Sequence, residues 1–566
     1  TFSIDYMSKE DYTYYSTETT QSYKASADGQ AKHRKDKMLN WQWDNTVSYK
    51  TLIKEKHRIS AVLGANMSYY SQNWNSLDVK GFGNDFFSYK AIAGASKKED
   101  FGVNSDFWTY SMASVFLRAG YVYDSRYYVT FTGRYDGSSK FGTNNKWGFF
   151  PSVGLGWRIS EETFLANNKV ITNLKLRGSY GITGNQEIGN YKSLAQLKSK
   201  NYIYNDALMQ GFYETIGNPD LKWERTKQFD LGFDLSLWNR IHLNVDYYSR
   251  RTSDLLYDVP IPSTSGFSTM LSNIGIVSNK GVEIALSGRI VETKDFKLDA
   301  TVNISKNKNE IKELYNDVES ITVTSGLGLS KYLKVGESLL SIYGLKSEGI
   351  IKTEEQLAAY QKIVPTAQLG DEMYADIDDD KAITAKDQIN IGETEPNFFY
   401  GVALNLEYKK FHLDILGQGA HDFAAVGASN SDMKIGIHGY GDSFNYLLVG
   451  ENQTDNRCCL PSKYAYERMW SPSNPNGTFP RAGASNLYLS DRSNSGWNYF
   501  IIKSIALSYD FGNNPIKGIK GIKGISAFVN LQNFITFANH RGYNPENGDT
   551  SNPWIKTITI GVNAKF

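Results

Sequence analysis

From Phe229 onward the chain alternates strictly: Phe229, Leu231, Phe233, Leu235 and Leu237 are apolar, and Asp230, Gly232, Asp234 and Ser236 stand between them. A period of two is the mark of a strand with one apolar face. After Trp238, Asn239 and Arg240 the alternation resumes with Ile241, Leu243, Val245 and Tyr247 against His242, Asn244, Asp246 and Tyr248, which predicts an antiparallel hairpin. Each run is long for a soluble strand, and aromatics collect near its ends as they do where strands cross a bilayer. A long hairpin of a soluble β-sandwich would alternate in the same way, so this stretch alone leaves both folds open.

The same rule predicts strands at residues 1 to 8, 38 to 50, 57 to 73, 107 to 123, 126 to 137, 147 to 160, 172 to 183, 225 to 238, 241 to 253, 280 to 291, 296 to 308, 397 to 409, 410 to 423, 498 to 511, 524 to 537 and 555 to 566. Shorter connections (50 to 57, 123 to 126, 160 to 172, 238 to 241, 291 to 296, 409 to 410, 511 to 524) alternate with long ones (8 to 38, 73 to 107, 183 to 225, 253 to 280, 308 to 397, 423 to 498, 537 to 555), and 137 to 147 is the one that is shorter than its place in the series predicts. Outer-membrane barrels sort their connections this way, with short periplasmic turns and long extracellular loops. A sandwich has no reason to do so. The expected fold is therefore all-β, a transmembrane antiparallel β-barrel. Its long extracellular loops are expected near 74 to 106, 184 to 224, 309 to 396 and 424 to 497.

Composition agrees. Aromatics make up 14% of the 566 residues and charged residues 21%, with a mean hydropathy of −0.44. No run of about 18 apolar residues exists, which excludes α-helical membrane spans but not strands that show lipid only alternate residues. A net charge of +1 offers no general attraction to nucleic acid, and none is expected as a partner. The two cysteines, Cys458 and Cys459, are adjacent, too few for a disulfide framework or a metal knuckle. No signal peptide opens the chain, which starts on a strand-like pattern; residues 1 to 566 are read as the C-terminal part of a longer barrel. Sixteen strands would leave two open edges, and in lipid each unsatisfied edge group costs several kcal/mol, so further strands are expected upstream.

Several stretches resemble the starch-utilisation (SusC-like) type of TonB-dependent outer-membrane transporter. They include GRYDGSSKFGTNNKWGFFPSVGLGWRISEE (133 to 162), LKLRGSYGITGNQEIGNY (174 to 191), NPDLKWERTKQFDLGFD (218 to 234), IPSTSGFSTMLSNIGIVSNKGVEIAL (261 to 286), DIDDDKAITAKDQINIGETEPNFFYGVALNLEY (376 to 408) and WNYFIIKSIALSYDF (497 to 511). The resemblance implies a barrel of about 22 strands closed by an N-terminal plug. It also implies a SusD-like surface lipoprotein as lid, and import of oligosaccharides or oligopeptides driven through TonB. The plug and the TonB-contacting residues are not in this sequence. Residues 513 to 525, NNPIKGIKGIKGI, are longer than a minimal periplasmic turn, with Lys517, Lys520 and Lys523 three apart. Two other classes compete: a siderophore or cobalamin receptor without a lid, and a structural or adhesion barrel without transport.

The sharpest local motif is Asp376-Ile377-Asp378-Asp379-Asp380-Lys381-Ala382-Ile383-Thr384-Ala385-Lys386-Asp387. Carboxylates at loop positions 1, 3, 5 and 12 (Asp376, Asp378, Asp380, Asp387) with the Ala382 carbonyl at 7 make an oxygen-rich shell for a structural Ca²⁺ or Mg²⁺. Lys381 stands where a turn glycine is expected, and Asp387 is shorter than the usual bidentate Glu. The competing reading is a solvated acidic loop. Loop aromatics (Trp74, Phe82, Phe86, Phe87, Tyr202, Tyr204, Phe212, Tyr213, Tyr440, Phe444, Tyr446) could stack on cargo, pack their loops or meet the lid. Arg177, Asp234, His242, Asp246, His412 and Asp414 lie on polar strand faces, as either a solute path or a wet wall against a plug. No HExxH, GxSxG, Walker or dinucleotide pattern occurs, and an enzyme is not expected.

Overall fold

A computed structural model describes residues 1–17, 29–98, 101–204, 207–265, 267, 269–315, 318–324, 331–423, 466–481, 484, 488, 490–493, 497–513, 523–538, 545–546 and 554–565. Sixteen strands form one sheet whose spatial order is their order in the chain. They are β1 (Phe2–Tyr15), β2 (Gln30–Ile53), β3 (His57–Lys80), β4 (Gly102–Tyr123), β5 (Tyr127–Ser138), β6 (Trp147–Arg158), β7 (Ile171–Asn185), β8 (Glu224–Leu237), β9 (Ile241–Ser253), β10 (Ile276–Glu292), β11 (Phe296–Glu313), β12 (Phe398–Tyr408), β13 (Phe411–Phe423), β14 (Trp497–Asn513), β15 (Gly524–Ala538) and β16 (Thr557–Lys565). Every strand expected from the alternation is present.

The register shows why alternation was a sound guide. Leu298, Leu406, Leu413, Leu507, Val529 and Ile560 are paired in one row across six strands. One residue along, on the opposite face, the row reads Asp299, Asn405, Asp414, Ala506, Asn530 and Thr559. A slip of one residue would exchange these rows and put carboxylates where the leucines stand, so the register is fixed by burial against lipid. The short turns supply the other half of the specification. Lys54 and Glu55, Asp124 and Ser125, and Trp238 and Asn239 all have φ between 50° and 59°. Two consecutive positive φ values are the signature of the two-residue turn whose twist matches paired strands. None of these pairs contains glycine, so the paired strands impose the turn rather than the reverse.

The expected boundaries were too short on the long-loop side. Strands β2 and β3 each run 24 residues and β4 runs 22, whereas a lipid crossing takes about 9–11. The extra residues are largely polar, with apolar side chains only at scattered positions such as Ala31, Trp74, Leu77, Val79 and Val103, which erases the period-two signal. They are held instead by the ladder from Gln30↔Lys80 onward and by pairs such as Arg34 with Asp36 (2.8 Å) and Lys32 with Asp78 (3.3 Å).

The chain divides into two compact units. The first comprises Thr1–Gly156, Ser179–Gln228 and Thr252–Ile274. Its core joins Phe141, Phe150, Ile188, Leu221 and Trp223. These residues lie in the sequence blocks KFGTNNKWGFF, GNQEIGN and NPDLKW, so blocks far apart in sequence share one core. Trp223 packs on Phe141 and Phe150 (ring centroids 4.7 and 5.3 Å) and its Nε1–H donates to the Lys146 carbonyl. The Gly142 N–H donates to the Leu221 carbonyl at 3.0 Å. A Cβ on Gly142 would stand 1.9 Å from the Pro219 carbonyl oxygen, so only glycine permits this approach. A second cluster, Ala31, Val79, Phe82 and Ala95, seats the loop after β3.

The second unit comprises Trp157–Gly178, Phe229–Arg251 and Gly275–Phe566. The connection from β11 to β12, expected as a loop, holds a small module of its own. Ser341–Leu345 pairs with Gln388–Glu393, and Ser347–Ile350 pairs with Glu372–Tyr374. The helix α1 (Glu354–Tyr360) starts on a capping box of Thr353 and Gln356. Ile351, Tyr360 and Ala367 form its core. The region 184 to 224 likewise carries a hairpin, Gln196–Tyr204 with Ala207–Thr215.

Two stability predictions arise here. Leu507→Arg on the apolar row should lower the unfolding free energy in bilayers by ~2–4 kcal/mol, and Leu507→Phe should stay within about 0.5 kcal/mol. Trp223→Ala should cost ~3–5 kcal/mol by emptying the first unit's core. Urea unfolding monitored by tryptophan fluorescence and gel mobility checks both.

Candidate functional site

The acidic loop lies in the module between β11 and β12, directly after the strand Glu372–Tyr374. The carboxylates of Asp376, Asp378 and Asp380 each bring an oxygen within 4.8 Å of the others. Backbone N–H groups orient them: those of Asp380 and Lys381 donate to Asp376 (3.2 and 2.8 Å), and that of Ala382 donates to Asp380 (3.0 Å). Lys381 has φ 62° and Asp379 φ 57°. Lys381 therefore adopts the left-handed backbone that the expected glycine would supply, at a cost of roughly 1–2 kcal/mol.

Asp387 has a different task from the ligand role its position suggested. It is fully buried, and its two oxygens accept the N–H groups of Ile377 (2.8 Å) and Thr384 (2.7 Å), closing the loop on itself. Lys386 places its ammonium 3.6 Å from Asp378 and 3.7 Å from Asp380 and partly offsets the clustered charge. Three carboxylates thus converge as a hard cation requires, and Asp387 holds the frame from behind.

Beside this loop the module is clasped to the segment 466–493. Arg481 Nε donates to Asp371 at 2.7 Å, the Ser347 N–H donates to Asp491 at 2.9 Å, and the Tyr488 N–H donates to the Tyr374 hydroxyl at 3.0 Å. Glu372 sits at the centre, buried. The Ser347 hydroxyl donates to it at 2.5 Å and Arg492 stands 3.6 Å away. Burial pushes the Glu372 carboxyl above its ordinary range, outweighing the lowering by Ser347 and Arg492.

The polar face of the sheet carries the other sequence candidates. Arg177 of β7 bridges Asp234 of β8 (2.8 Å) and Asp246 of β9 (2.9 Å), so three of them form one cross-strand cluster. His242 shares a hydrogen bond with Ser236 (2.9 Å), and His412 lies 4.0 Å from Glu407. Asp414 is paired in register with Asn405 and Ala506. A cavity of about 700 Å³ opens on this face, lined by Asn244, Asp246, Glu283, Asn303, Gln418 and Glu546 among others. Apart from Asn244 and Asp246 on the first hairpin, alternation did not single these out, because a polar residue on a polar face carries no period of its own.

The loop aromatics divide. Phe82 is core, Trp74 lies 4.2 Å below the Arg34 guanidinium, and Phe86 and Phe87 are exposed with rings edge to face. Tyr202, Tyr204, Phe212 and Tyr213 lie on the hairpin noted above, and their side chains are outside the described residues. Tyr440, Phe444, Tyr446, Cys458, Cys459, Lys517 and Lys520 also lie outside the described residues. The loop carrying Phe86 is fastened by Asp85, which accepts from Tyr14 (2.6 Å), Ser16 (2.7 Å) and Thr17; the Tyr14 hydroxyl above all holds its carboxyl down at about 2.

The family comparison decides the class. A model described as TonB dependent receptor-like, beta-barrel, matches residues 2–332. The chain belongs to this family. Among similar curated proteins, TonB-dependent receptor P3 of Formosa agariphila is 32% identical over 480 residues, 80% of this chain and 45% of that receptor. TonB-dependent receptor SusC of Bacteroides thetaiotaomicron is 28% identical over 476 residues, 81% of this chain and 44% of the receptor. Of solved structures, the RagAB peptide transporter matches all of this chain and 59% of its own, with 25% identity and a TM-score of 0.80. The chain spans about half the length of the curated relatives it matches. Its fold is the transmembrane antiparallel β-barrel of this family, and its place is the outer membrane. The family is one of receptors and transporters.

The two carboxyls make opposite pH predictions. A raised folded-state pKa makes the Glu372 clasp lose stability as pH rises from the ordinary carboxyl value through the folded one; proteolysis within 466–493 should therefore quicken over that window, and Glu372→Gln should flatten the trend. Asp85 is lowered, so its contribution is complete above pH 3.8 and is lost as pH falls toward about 2. Cleavage within 81–98 should rise only in acid, and Asp85→Asn should show the acid rate at neutral pH.

Proposed function

We propose that this receptor imports oligomeric nutrients, oligosaccharides or oligopeptides, across the outer membrane. The observation that carries the reading is the likeness of this chain both to SusC and, over its whole length, to the RagAB peptide transporter. Energy arrives through TonB, because a periplasm-facing barrel has no nucleotide to use. A SusD-like surface lipoprotein lids the extracellular mouth. The relatives are about twice as long as the part this chain matches, and in this reading a plug and a TonB contact of the family's kind complete the receptor.

The purified complex tests this. Intact mass and peptide mapping of the receptor from native outer membranes should find a plug-bearing polypeptide and a lipoprotein, and uptake of the co-purified sugar or peptide should stop on TonB deletion. A receptor that arrives without a lipoprotein and takes up a metal chelate would instead be of the siderophore class; uptake that ignores TonB would reject the mechanism.

Within the same reading, Asp376, Asp378 and Asp380, with the Ala382 carbonyl, hold a structural Ca²⁺ or Mg²⁺, and Asp387 braces the loop. The convergence of three carboxylates supports it. Calorimetry should detect binding at millimolar cation or below, and Asp378→Ala should both abolish the heat and speed proteolysis within 376–387. No heat, with Asp378→Ala proteolysed like the parent, would leave Lys386 as the loop's counter-ion.

A further inference from the structure

On β11 the apolar-face positions, read from the short turn, are Phe296, Leu298, Ala300, Val302 and Ile304, followed by Lys306, Lys308, Glu310 and Lys312. Their partners on β10 are Val302 with Leu286, Ile304 with Ile284, Lys306 with Val282, and Lys308 with Lys280. Phe398 of β12 stands opposite Lys306 on its other side. Residues paired directly across a sheet share a face, so these lysines continue the lipid-facing rows and not the polar ones. The apolar run from Phe296 to Ile304 matches the roughly 9–11 residues a tilted strand needs to cross the hydrocarbon. Lys280, Lys306 and Lys308 therefore stand where headgroups begin, on the side of the long connections.

The charge at this level is unbalanced. Lys280 and Lys308 are directly opposed like charges, an arrangement that destabilises a strand pair. All three lysines are exposed, and no ion pair joins them to an acid among the described residues. Glu310, the acid of the same rows, is bonded to Lys312 at 2.5 Å and also lies within electrostatic reach of Lys308 and Lys280, so one carboxylate faces several lysines. Arg251 of β9, two alternate positions beyond the exposed Tyr247, adds a further cation on the neighbouring strand of the sheet.

We propose that Lys280, Lys306 and Lys308 bind the phosphate of a phosphorylated lipid headgroup in the outer leaflet. Three ammonium groups at headgroup depth present a tripod of donors to a phosphate. The bound anion removes the Lys280–Lys308 repulsion. The depth commits the site to a lipid rather than to free phosphate, since Ile284, Ile304 and Phe398 beside it are faces for acyl chains.

Native mass spectrometry of the full-length receptor in detergent tests this, with bisphosphorylated lipid A, phosphatidylglycerol, zwitterionic phosphatidylcholine and inorganic phosphate as probes. The receptor should retain lipid A and phosphatidylglycerol over phosphatidylcholine. Each Lys→Gln change at 280, 306 and 308 should weaken retention about fivefold. Lys409→Gln, at the short turn, should not change it, and heat-modifiability on gels confirms that each variant folds. Undiminished lipid A retention by the triple variant would overturn the proposal, as would displacement of the lipid by millimolar inorganic phosphate. A loss matched by Lys409→Gln would also overturn it, by showing adhesion to net charge alone.

Discussion

Inside a bilayer every backbone N–H and C=O must find a partner within the protein, because no water can take its place. That constraint explains why sixteen strands follow one another in chain order in a single sheet. Each strand satisfies its neighbours in turn, and the simplest way to continue is a short hairpin back across the lipid. The side chains then have only two environments. The row of Leu298, Leu406, Leu413, Leu507, Val529 and Ile560 faces one, and the row one residue along, with Asp299 and Asp414, faces the other. Because the spacing is two, register is all or nothing.

Beyond the lipid the constraint lapses, and the structure changes its means of support. The extensions of β2, β3 and β4 keep their ladders but rely on charge pairs such as Arg34 with Asp36. The module between β11 and β12 has a core, a capped helix and buried charges of its own. Asp371 and Glu372 are almost wholly buried and are met by Arg481 and Arg492 from a segment about 110 residues on. Buried ion pairs add little net stability over apolar contacts, but removing one partner leaves an uncompensated charge. They therefore favour one docking of these two segments over others rather than adding bulk stability.

This division sets what could be read from the sequence. All sixteen strands were legible because lipid writes a period of two into them. Their ends were not, since Gln30 to Lys37 and Asn73 to Lys80 are mostly polar and their few apolar residues, Ala31, Trp74, Leu77 and Val79, are too sparse to carry a period. The acidic loop was legible as a cluster, because Asp376, Asp378 and Asp380 are close in sequence and stay close in space. Asp387 was misplaced by the same template: its position fits a ligand, but its burial makes it an acceptor for the loop's own N–H groups. The clasp was illegible, because nothing local marks Glu372 and Arg492 as partners across the intervening chain. The turns were legible in length but not in kind, since Lys54-Glu55 and Asp124-Ser125 hold positive φ without glycine.

The blocks that carry the family likeness are also where tertiary demands are tightest. Gly142 has the Pro219 carbonyl where a Cβ would go, and Trp223 fills the space between Phe141 and Phe150. These residues sit on the long-connection side and pack against one another. Lipid-facing positions need only be apolar, so they can drift; a glycine under a carbonyl cannot. The blocks also run through the strands and include Leu406 and Leu507 of the apolar row, so the likeness takes in the packed rim and the lipid face alike. Such resemblance identifies the scaffold more securely than the cargo, whose contacts lie on polar faces and loop surfaces where one hydrogen-bonding residue can replace another.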